Sequence, residues 1–256
     1  MNKILSIIIP TYNAAQFLDK GLSTFIMEDK EMMDKLEVLI VNDGTKDNSV
    51  EVAQKFVDRY PNTFKIINKE NGGHGSAINT GVENVTGKYF KCVDADDWVY
   101  TDALERTMKI LEKEDFDALI QSFITYDISK DLWEPRDIHC DNTDRIYNLK
   151  EIVDMWEQID YGMSFHGVTY NAQFYKSLGY KLIEGVFYED QEYATIPLSY
   201  AKRIRLLDDE LYVYRLGDVN QSVSTQSQLS RLPHFEAVLF KILEHEKNLD
   251  KLPEGG

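Results

Sequence analysis

KYFKCVDADDW, residues 88–98, is an apolar stretch that ends in three aspartates and a tryptophan. Carboxylates at the end of a buried strand repel one another and lose hydration, so this ending costs stability unless a positive partner lies among them. Asp94 and Asp96 have the D-x-D spacing that puts two side chains on one face of an extended chain. Such a density of carboxylate oxygens suits Mg²⁺ or Mn²⁺. A metal site and a charged turn both stay open, because Asp115 and Asp117 repeat the spacing where we expect only solvated charges.

The chain around this stretch alternates short apolar runs with amphipathic runs. This alternation predicts an α/β fold with a mainly parallel sheet whose strands are joined by helices. The predicted strands of the first half are residues 5–10, 37–41, 64–67, 89–93 and 118–124, and Asn13 is expected to cap the first helix. Polar loops follow three of these strands, at 42–44 (NDG), 70–75 (ENGGHG) and 94–97 (DADD). Ligands bind such sheets beyond the carboxyl ends of the strands, so we expect the three loops to converge on one site.

The second half of the chain is less regular. Residues 126–150 are polar and predicted to be rich in loops, and residues 151–159 are predicted to be helical. The run 203–215 indicates two short strands around an acidic turn. Near the C-terminus, apolar residues at helical spacing predict a helix that packs against the same domain, namely Phe235, Val238, Leu239, Ile242 and Leu243. This helix would belong to a C-terminal extension, residues 226–256, that follows a larger first domain, residues 1–225.

Composition limits the partners and the compartment. The 256 residues include 44 acidic and 28 basic residues, and the net charge of -16 argues against a nucleic-acid partner and a broad surface for anionic lipids. Cys92 and Cys140 have no neighbours at zinc-ligand spacing and suggest no disulfide framework. The apolar run at 4–10 is too short to span a membrane. We expect a cytoplasmic protein, or one peripheral at the inner face of the membrane, without a transmembrane segment; a homo-oligomer is left open.

The glycine loop ENGGHGSAIN excludes two common nucleotide motifs. It does not fit G-x-G-x-x-G, because Ile78 occupies the position of the third glycine after Gly73 and Gly75. A P-loop is also excluded, because the Gly87 and Lys88 pair is followed by a tyrosine. Glycines before a helix let backbone N–H groups approach a phosphate or a base, although an ordinary glycine turn explains the loop equally well.

Two further sets of polar residues are ambiguous on their own. The five histidines, at positions 74, 139, 166, 234 and 245, show no metal-ligand spacing, and we interpret each as a loop or packing residue. Only His74 lies in a candidate site loop. Glu189 and Asp190 are adjacent and fit an ordinary helix start, where the helix dipole favours acids. No G-x-S-x-G motif indicates a serine hydrolase.

The complete set of motifs is more specific than its parts. SIIIPTYN, VNDGTKDNS, NGGHGSAIN, VDADD, a later ED pair and YRLGDVNQSVS, in this order, resemble the family 2 glycosyltransferases of the GT-A fold over about the first 225 residues. The resemblance implies a nucleotide-binding sheet flanked by helices, a smaller mixed acceptor-side region and a C-terminal helix. It also implies an inverting transfer of a sugar from a nucleotide diphosphate sugar, usually a UDP-sugar, to an acceptor hydroxyl. The acceptor would be a glycan, a lipid-linked molecule or a protein, most simply in cell-surface glycan synthesis.

Position by position, the resemblance implies a role for each motif. On the donor side, Pro10, Thr11 and Tyr12 would line the nucleotide pocket. Asp43 would accept a hydrogen bond from the base, and Asp94 would face the nucleoside. Gly73 would belong to the loop that approaches the donor. Asp96 would hold the Mg²⁺ or Mn²⁺ that bridges the diphosphate, and Asp190 would be the catalytic base. A loop covering the phosphates would contain Arg215, Gln221, Ser222 and Ser224.

One departure from the family and two alternative functions accompany this resemblance. The family commonly has arginine where this chain has Ile78, which leaves the phosphates more dependent on the metal and Arg215. Residues 163–170 are either a wall of the acceptor site or sheet core. A sugar nucleotidyltransferase is one alternative, but PTYNAAQFL lacks the glycine-rich basic loop usual in that class. A non-catalytic nucleotide-sugar-binding protein is the other, and it could dispense with Asp190.

Overall fold

The computed structural model describes residues 2–140, 142–217 and 230–249. Its strands are β1 Leu5–Thr11, β2 Leu36–Asp43, β3 Phe64–Lys69, β4 Tyr89–Cys92, β5 Trp98–Val99, β6 Ala118–Asp127, β7 Leu132–Arg136, β8 Ile146–Tyr147, β9 Val168–Asn171 and β10 Ile204–Leu216. Its helices are α1 Ala15–Ser23, α2 Lys30–Lys35, α3 Ser49–Arg59, α4 His74–Asn84, α5 Thr101–Lys113, α6 Leu149–Asp154, α7 Trp156–Ile159, α8 Ala172–Ser177, α9 Asp190–Thr195 and α10 Leu232–Leu249, with short 3₁₀ turns at Asp160–Met163 and Leu198–Tyr200.

The strands form one mixed sheet in the order β3-β2-β1-β4-β9-β6-β10-β5, with β7 paired to β6 and β8 to β10. The first four strands of this order are mutually parallel. β9 runs antiparallel to both β4 and β6, so β6 and its parallel neighbour β10 run in the same direction as β4. The carboxyl ends of β1, β2, β4, β6 and β10 therefore lie along one edge, as the predicted α/β architecture requires.

Helices cover both faces of the sheet, which is why a strand such as β1 is buried along its whole length. Helices α1, α3 and α5 contribute their apolar stripes to the core on one face. Helices α4, α8 and α9 contribute to the core on the other face, where Ile78, Tyr175 and Tyr193 are buried. The two cores hold the strand ends in fixed relative positions.

Several local predictions were wrong. Asn13 does not cap α1, which begins after Ala14 without a side-chain cap. Instead the Asn13 carboxamide accepts the Lys46 N–H at 2.9 Å, and the Asp47 carboxylate accepts the Ala15 N–H at 3.0 Å. Residues 203–215 do not form two strands, because β10 continues through the acidic run with a register shift between Leu207 and Tyr212. The predicted loop region 126–150 contains β7 and β8.

The C-terminal helix α10 packs against α9 and the turn that follows it. Lys241 forms an ion pair with Glu192 at 2.8 Å, and His245 lies 2.9 Å from the Ser199 hydroxyl. Of the predicted apolar stripe, Val238 is buried, whereas Phe235 and Leu239 stay exposed. The assigned boundary at residue 225 lies outside the described residues. No helix in the described ranges is long and apolar enough to cross a bilayer.

Candidate functional site

The three polar loops meet at the carboxyl edge of the sheet, as the sequence predicts. The Asp43 carboxylate at the end of β2 accepts the Gly72 N–H at 2.9 Å and the Gly73 N–H at 2.8 Å. The next residue, His74, lies 2.8 Å from Asp94, so the second loop contacts the third. These hydrogen bonds join the NDG, ENGGHG and DADD loops into one constellation.

The predicted nucleotide residues divide into buried and exposed positions. Pro10 and Thr11 are buried at the end of β1, and Tyr12 is exposed beside them. Asp43 is buried, and in addition to the glycine N–H groups it accepts a hydrogen bond from Lys69 at 2.6 Å. Asp43 therefore orders the glycine loop, and the Gly73 N–H donates to this carboxylate. The predicted contacts of these residues with a nucleotide stay predictions.

The DADD turn contains one buried carboxylate and two partly exposed ones. Asp97 is 2% exposed and accepts hydrogen bonds from the Tyr212 hydroxyl and from the Arg215 N–H. Burial, together with the charges of Asp96 and Asp94, raises the pKa of Asp97 well above its ordinary value. The Asp96 carboxylate lies 3.5 Å from the Arg215 guanidinium. The turn therefore concentrates three carboxyl groups, with the Arg215 guanidinium beside Asp96.

The resemblance implies a metal ion at this turn. Asp94, Asp97 and His166 bring one potential ligand atom each within 4.8 Å of one another, a group that does not include Asp96. Asp97 is already engaged by two donors, and His166 stacks on Tyr214 with ring centroids 3.9 Å apart. The carboxylate oxygens of this turn fit a hard divalent cation. The role of Asp96 as its ligand stays a prediction.

A crevice of about 100 Å³ adjoins Asp96 on the side of α1. Its lining includes Lys20, Trp98, Tyr126 and Arg215. The Lys20 ammonium lies 3.2 Å from the centroid of the Trp98 ring, and the Arg215 guanidinium lies over Phe17. Two cations therefore lie beside the acidic turn. The other predicted residues of the covering loop, Gln221, Ser222 and Ser224, lie outside the described residues.

His74 connects the DADD turn to the acid pair. Its Nε2 atom lies 2.8 Å from Asp94 Oδ1, and its Nδ1 atom lies 2.6 Å from Glu189 Oε1. Burial opposes a charge on His74, but the charges of Asp94 and Glu189 and their hydrogen bonds raise its pKa well above the ordinary value. His74, interpreted from the sequence as a loop or packing residue rather than a catalytic one, begins α4 and contacts both acids. Its position in a candidate site loop was the signal in the sequence.

The two acids of the ED pair have different surroundings. Glu189 is 2% exposed and precedes α9, whereas Asp190 is the first residue of that helix and is partly exposed. Burial, reinforced by the charge of Glu189, raises the pKa of Asp190 to about 6. A carboxylate with this pKa is ionised at neutral pH and accepts a proton more readily than an ordinary aspartate.

Ile78 occupies the position where the family commonly has arginine. Ile78 is fully buried in the core beneath α4 and does not reach the acids. His74 is the basic side chain that this helix brings to them.

In the 163–170 region, Phe165, Val168 and Tyr170 belong to the core, which confirms the sheet-core interpretation for those positions.

The architecture is of the GT-A type, and comparisons with known proteins agree with it. TarS of S. aureus, solved as residues 1–349 in complex with UDP-GlcNAc, superposes with a TM-score of 0.68 at 19% identity, over 84% of this chain and 59% of that one. The mannosyltransferase PcManGT of Pyrobaculum calidifontis, solved in complex with GDP-Man and Mn²⁺, has a TM-score of 0.63 at 18% identity, over 100% and 66% of the two chains. At these identities the likeness concerns the fold.

The sequence comparisons identify the family. The family model described as glycosyl transferase family 2 matches residues 6–179, so the chain belongs to this family. Glycosyltransferase YibD of Escherichia coli K12 is 30% identical over 86% of this chain and 63% of its own length. Glycosyltransferase EpsJ of Bacillus subtilis 168 is 26% identical over 84% and 62%. The chain thus spans about three fifths of the length of these curated relatives.

Proposed function

We propose that the chain is an inverting glycosyltransferase that moves a sugar from a nucleotide diphosphate sugar, a UDP-sugar by preference, to an acceptor hydroxyl. The observation that supports this function is the juxtaposition of a carboxylate with a pKa of about 6, Asp190, and the acidic DADD turn, linked through Glu189, His74 and Asp94. A general base and a site for the leaving diphosphate are the two parts that such a transfer requires.

In the proposed reaction, Asp190 takes the proton of the acceptor hydroxyl as its oxygen attacks the anomeric carbon. A new bond forms between this oxygen and the carbon, and the bond between the carbon and the diphosphate oxygen breaks on the opposite side. The nucleoside diphosphate leaves with the electron pair. Attack opposite the leaving group inverts the anomeric configuration, and it needs a single carboxylate on the acceptor side.

The chain's own residues would bind the donor as follows. The end of β1 at Thr11 and Tyr12, with Asp43 and Asp94, would contact the nucleoside, and Asp96 would hold Mg²⁺ or Mn²⁺ beside the diphosphate. When bound, such an ion neutralises negative charge on the leaving diphosphate. Arg215, which lies 3.5 Å from Asp96, would add a fixed positive charge there. The donors bound by TarS, UDP-GlcNAc, and by PcManGT, GDP-Man, support this class of ligand.

We propose a cell-surface glycan, lipid-linked molecule or protein as the acceptor and a cytoplasmic or inner-membrane-peripheral location. The domain assignment of 1–225 and 226–256 also stays a proposal. The contacts of α10 with α9 support an extension that buttresses the helix of Asp190.

A donor screen tests the proposed function. The protein is mixed with UDP-, GDP- and dTDP-sugars, with and without Mn²⁺, and thermal unfolding and release of the nucleoside diphosphate are measured. We expect a UDP-sugar with Mn²⁺ to raise the unfolding temperature; at 100 times Kd, ligand binding stabilises the folded state by about 2.7 kcal/mol. Nuclear magnetic resonance of the product then reports its anomeric configuration. Failure of every nucleotide sugar to stabilise the protein, or retention of configuration, would contradict the proposal.

A further inference from the structure

A single imidazole connects three segments that are far apart in the sequence. His74 begins α4, Asp94 follows β4, and Glu189 precedes α9. The ring is half-buried, and each of its nitrogens lies within 2.8 Å of a carboxylate oxygen. Because the imidazole ring is rigid, this geometry fixes the separation of the two carboxylates.

The backbone around His74 is shaped for this contact. A Cβ atom on Gly75 would lie 2.5 Å from the Ile183 carbonyl oxygen and 3.0 Å from Glu189 Cγ, so only glycine lets α4 approach the segment before the acid pair this closely. Gly73 has a φ of 90°, which also favours glycine. The Gly185 N–H donates to the Gly72 carbonyl at 3.1 Å. The start of α4 and residues 183–189 are therefore packed as one unit.

Glu189 depends on a partner in this unit. Its side chain is 3% exposed, and a buried carboxylate is costly unless it is hydrogen-bonded to a compensating group. His74 provides that group at 2.6 Å. Asp190 follows Glu189 directly, so whatever orients Glu189 also orients the first turn of α9.

We propose that His74 is a positioning residue for sugar transfer, which holds Glu189, and through it the base Asp190, at a fixed separation from the donor-side Asp94. This inference rests on the proposed function, because it concerns the alignment of the same base with the same donor. His74 contacts no reacting atom. Its effect is expected in the turnover step, because misplacing a reacting group by about 1 Å lowers a rate by about 100-fold.

The first test compares His74→Ala with His139→Ala. His139 is exposed, and its backbone N–H donates to the Gln158 carbonyl at 2.6 Å rather than to an acid of the site, so its substitution removes an imidazole that does not hold these acids. For His74→Ala we expect kcat to fall by about 10- to 100-fold, while the Kd for UDP with Mn²⁺ changes by less than about fivefold, or 1 kcal/mol. Added free imidazole should restore part of the lost rate. His74→Asn, which keeps a residue favoured at helix starts, replaces the alanine variant if that variant does not fold.

A double-mutant cycle tests whether His74 acts through Glu189. If it does, His74→Ala combined with Glu189→Ala loses no more activity than the worse single variant, because both substitutions break the same contact. Losses that multiply, or a His74→Ala enzyme with the wild-type kcat, would overturn the inference.

Amide hydrogen exchange gives a measurement that needs no turnover. In His74→Ala we expect faster exchange at the Gln191 and Tyr193 amides, at the start of α9, and no change in His139→Ala. Unchanged exchange there would overturn the inference. An inactive Asp190→Asn enzyme beside a fully active His74→Ala enzyme would overturn this inference and leave the proposed function intact. A fully active Asp190→Asn enzyme would overturn the proposed base, and the exchange data would still decide whether His74 orders this segment.

Discussion

Two pairs of adjacent acids, Asp96 with Asp97 and Glu189 with Asp190, show the same difference in burial between their two members. In each pair one carboxylate is buried, and Asp97 and Glu189 are both 2% exposed. The buried member is held by hydrogen bonds inside the protein, and the other member is partly exposed at the edge of the sheet. Each pair thus consists of a buried, hydrogen-bonded carboxylate and a more exposed one.

The pairs differ in what holds the buried member. Asp97 is held by the Tyr212 hydroxyl and a backbone N–H, and burial, together with the charges of Asp96 and Asp94, raises its pKa. Glu189 is held by His74, a group that can carry positive charge. A turn that concentrates carboxylate oxygens suits a bound cation, whereas an acid held by an imidazole suits a neighbouring base whose position is fixed. The comparison therefore supports the proposed metal binding at the first pair and the proposed proton transfer at the second.

The largest expected effect is in the second pair. We expect Asp190→Asn to lower transfer by about 100-fold or more, because general-base catalysis contributes 10² to 10⁴, while UDP and metal binding stay close to the wild-type values. The measurement is kcat with the donor chosen by the screen, together with calorimetry of UDP and Mn²⁺.

Glu189→Gln is the matched control for this substitution. It keeps an oxygen that can face His74, so its loss of transfer should be smaller than that of Asp190→Asn. If Glu189→Gln is inactive and Asp190→Asn is active, the two acids have exchanged roles; if both variants are active, neither acid is the base.

The next effect concerns the first pair. We expect Asp96→Ala to weaken Mn²⁺-dependent UDP binding by at least about tenfold, or 1.4 kcal/mol, and to remove most of the difference between affinities measured with and without the ion. Asp115→Ala is the control, since this aspartate repeats the D-x-D spacing in an exposed position. Equal UDP affinity with and without Mn²⁺ in the wild-type protein would contradict the assignment of a metal to this pair.

The third prediction is a pH profile. Burial and the charge of Glu189 raise the pKa of Asp190 to about 6, against an opposing effect of His74 and a small reinforcing one of Asp94. The ionised form is the base, so kcat/KM should be flat above pH 6 and fall about tenfold per unit below it. A profile between pH 5 and 8 at saturating Mn²⁺ checks this. The acidic limb should be absent from the residual activity of Asp190→Asn.

The sequence predicted the parallel part of the fold because its signals are local. LSIIIPT is mostly apolar and buried throughout, as expected of a strand covered on both faces, and a polar loop follows its end. Asp190 entered only through the family resemblance, whereas the strands that precede Asp43 and Asp94 predicted that these two motifs lie at one edge of the sheet. These inferences needed only short windows of sequence and the rule that parallel strands end together.

The division within each acid pair was not predictable, because it depends on distant partners. His74 and Glu189 are 115 residues apart, and so are Asp97 and Tyr212. The acidic run in β10 was also predicted wrongly. Its residues favour a turn, but pairing with β6 on both sides of the register shift keeps the run within one strand. Which member of a pair becomes buried is decided by tertiary packing.

The smallest expected effect tests whether Asp97 is the structural member of its pair. Tyr212 is fully buried; its hydroxyl donates to Asp97 and accepts the Asp94 N–H at 3.1 Å. Tyr212→Phe keeps the ring but leaves both groups without this partner, so we expect a loss of about 1 to 2 kcal/mol in the free energy of unfolding, measured by urea denaturation. Tyr161→Phe is the control, because Tyr161 is 59% exposed and its ring contact with Arg136 survives the change; we expect it to stay within about 0.5 kcal/mol of wild type. A Tyr212→Phe protein as stable as this control would mean that the hydroxyl does not hold Asp97, and the distinction between the two members of the first pair would fail.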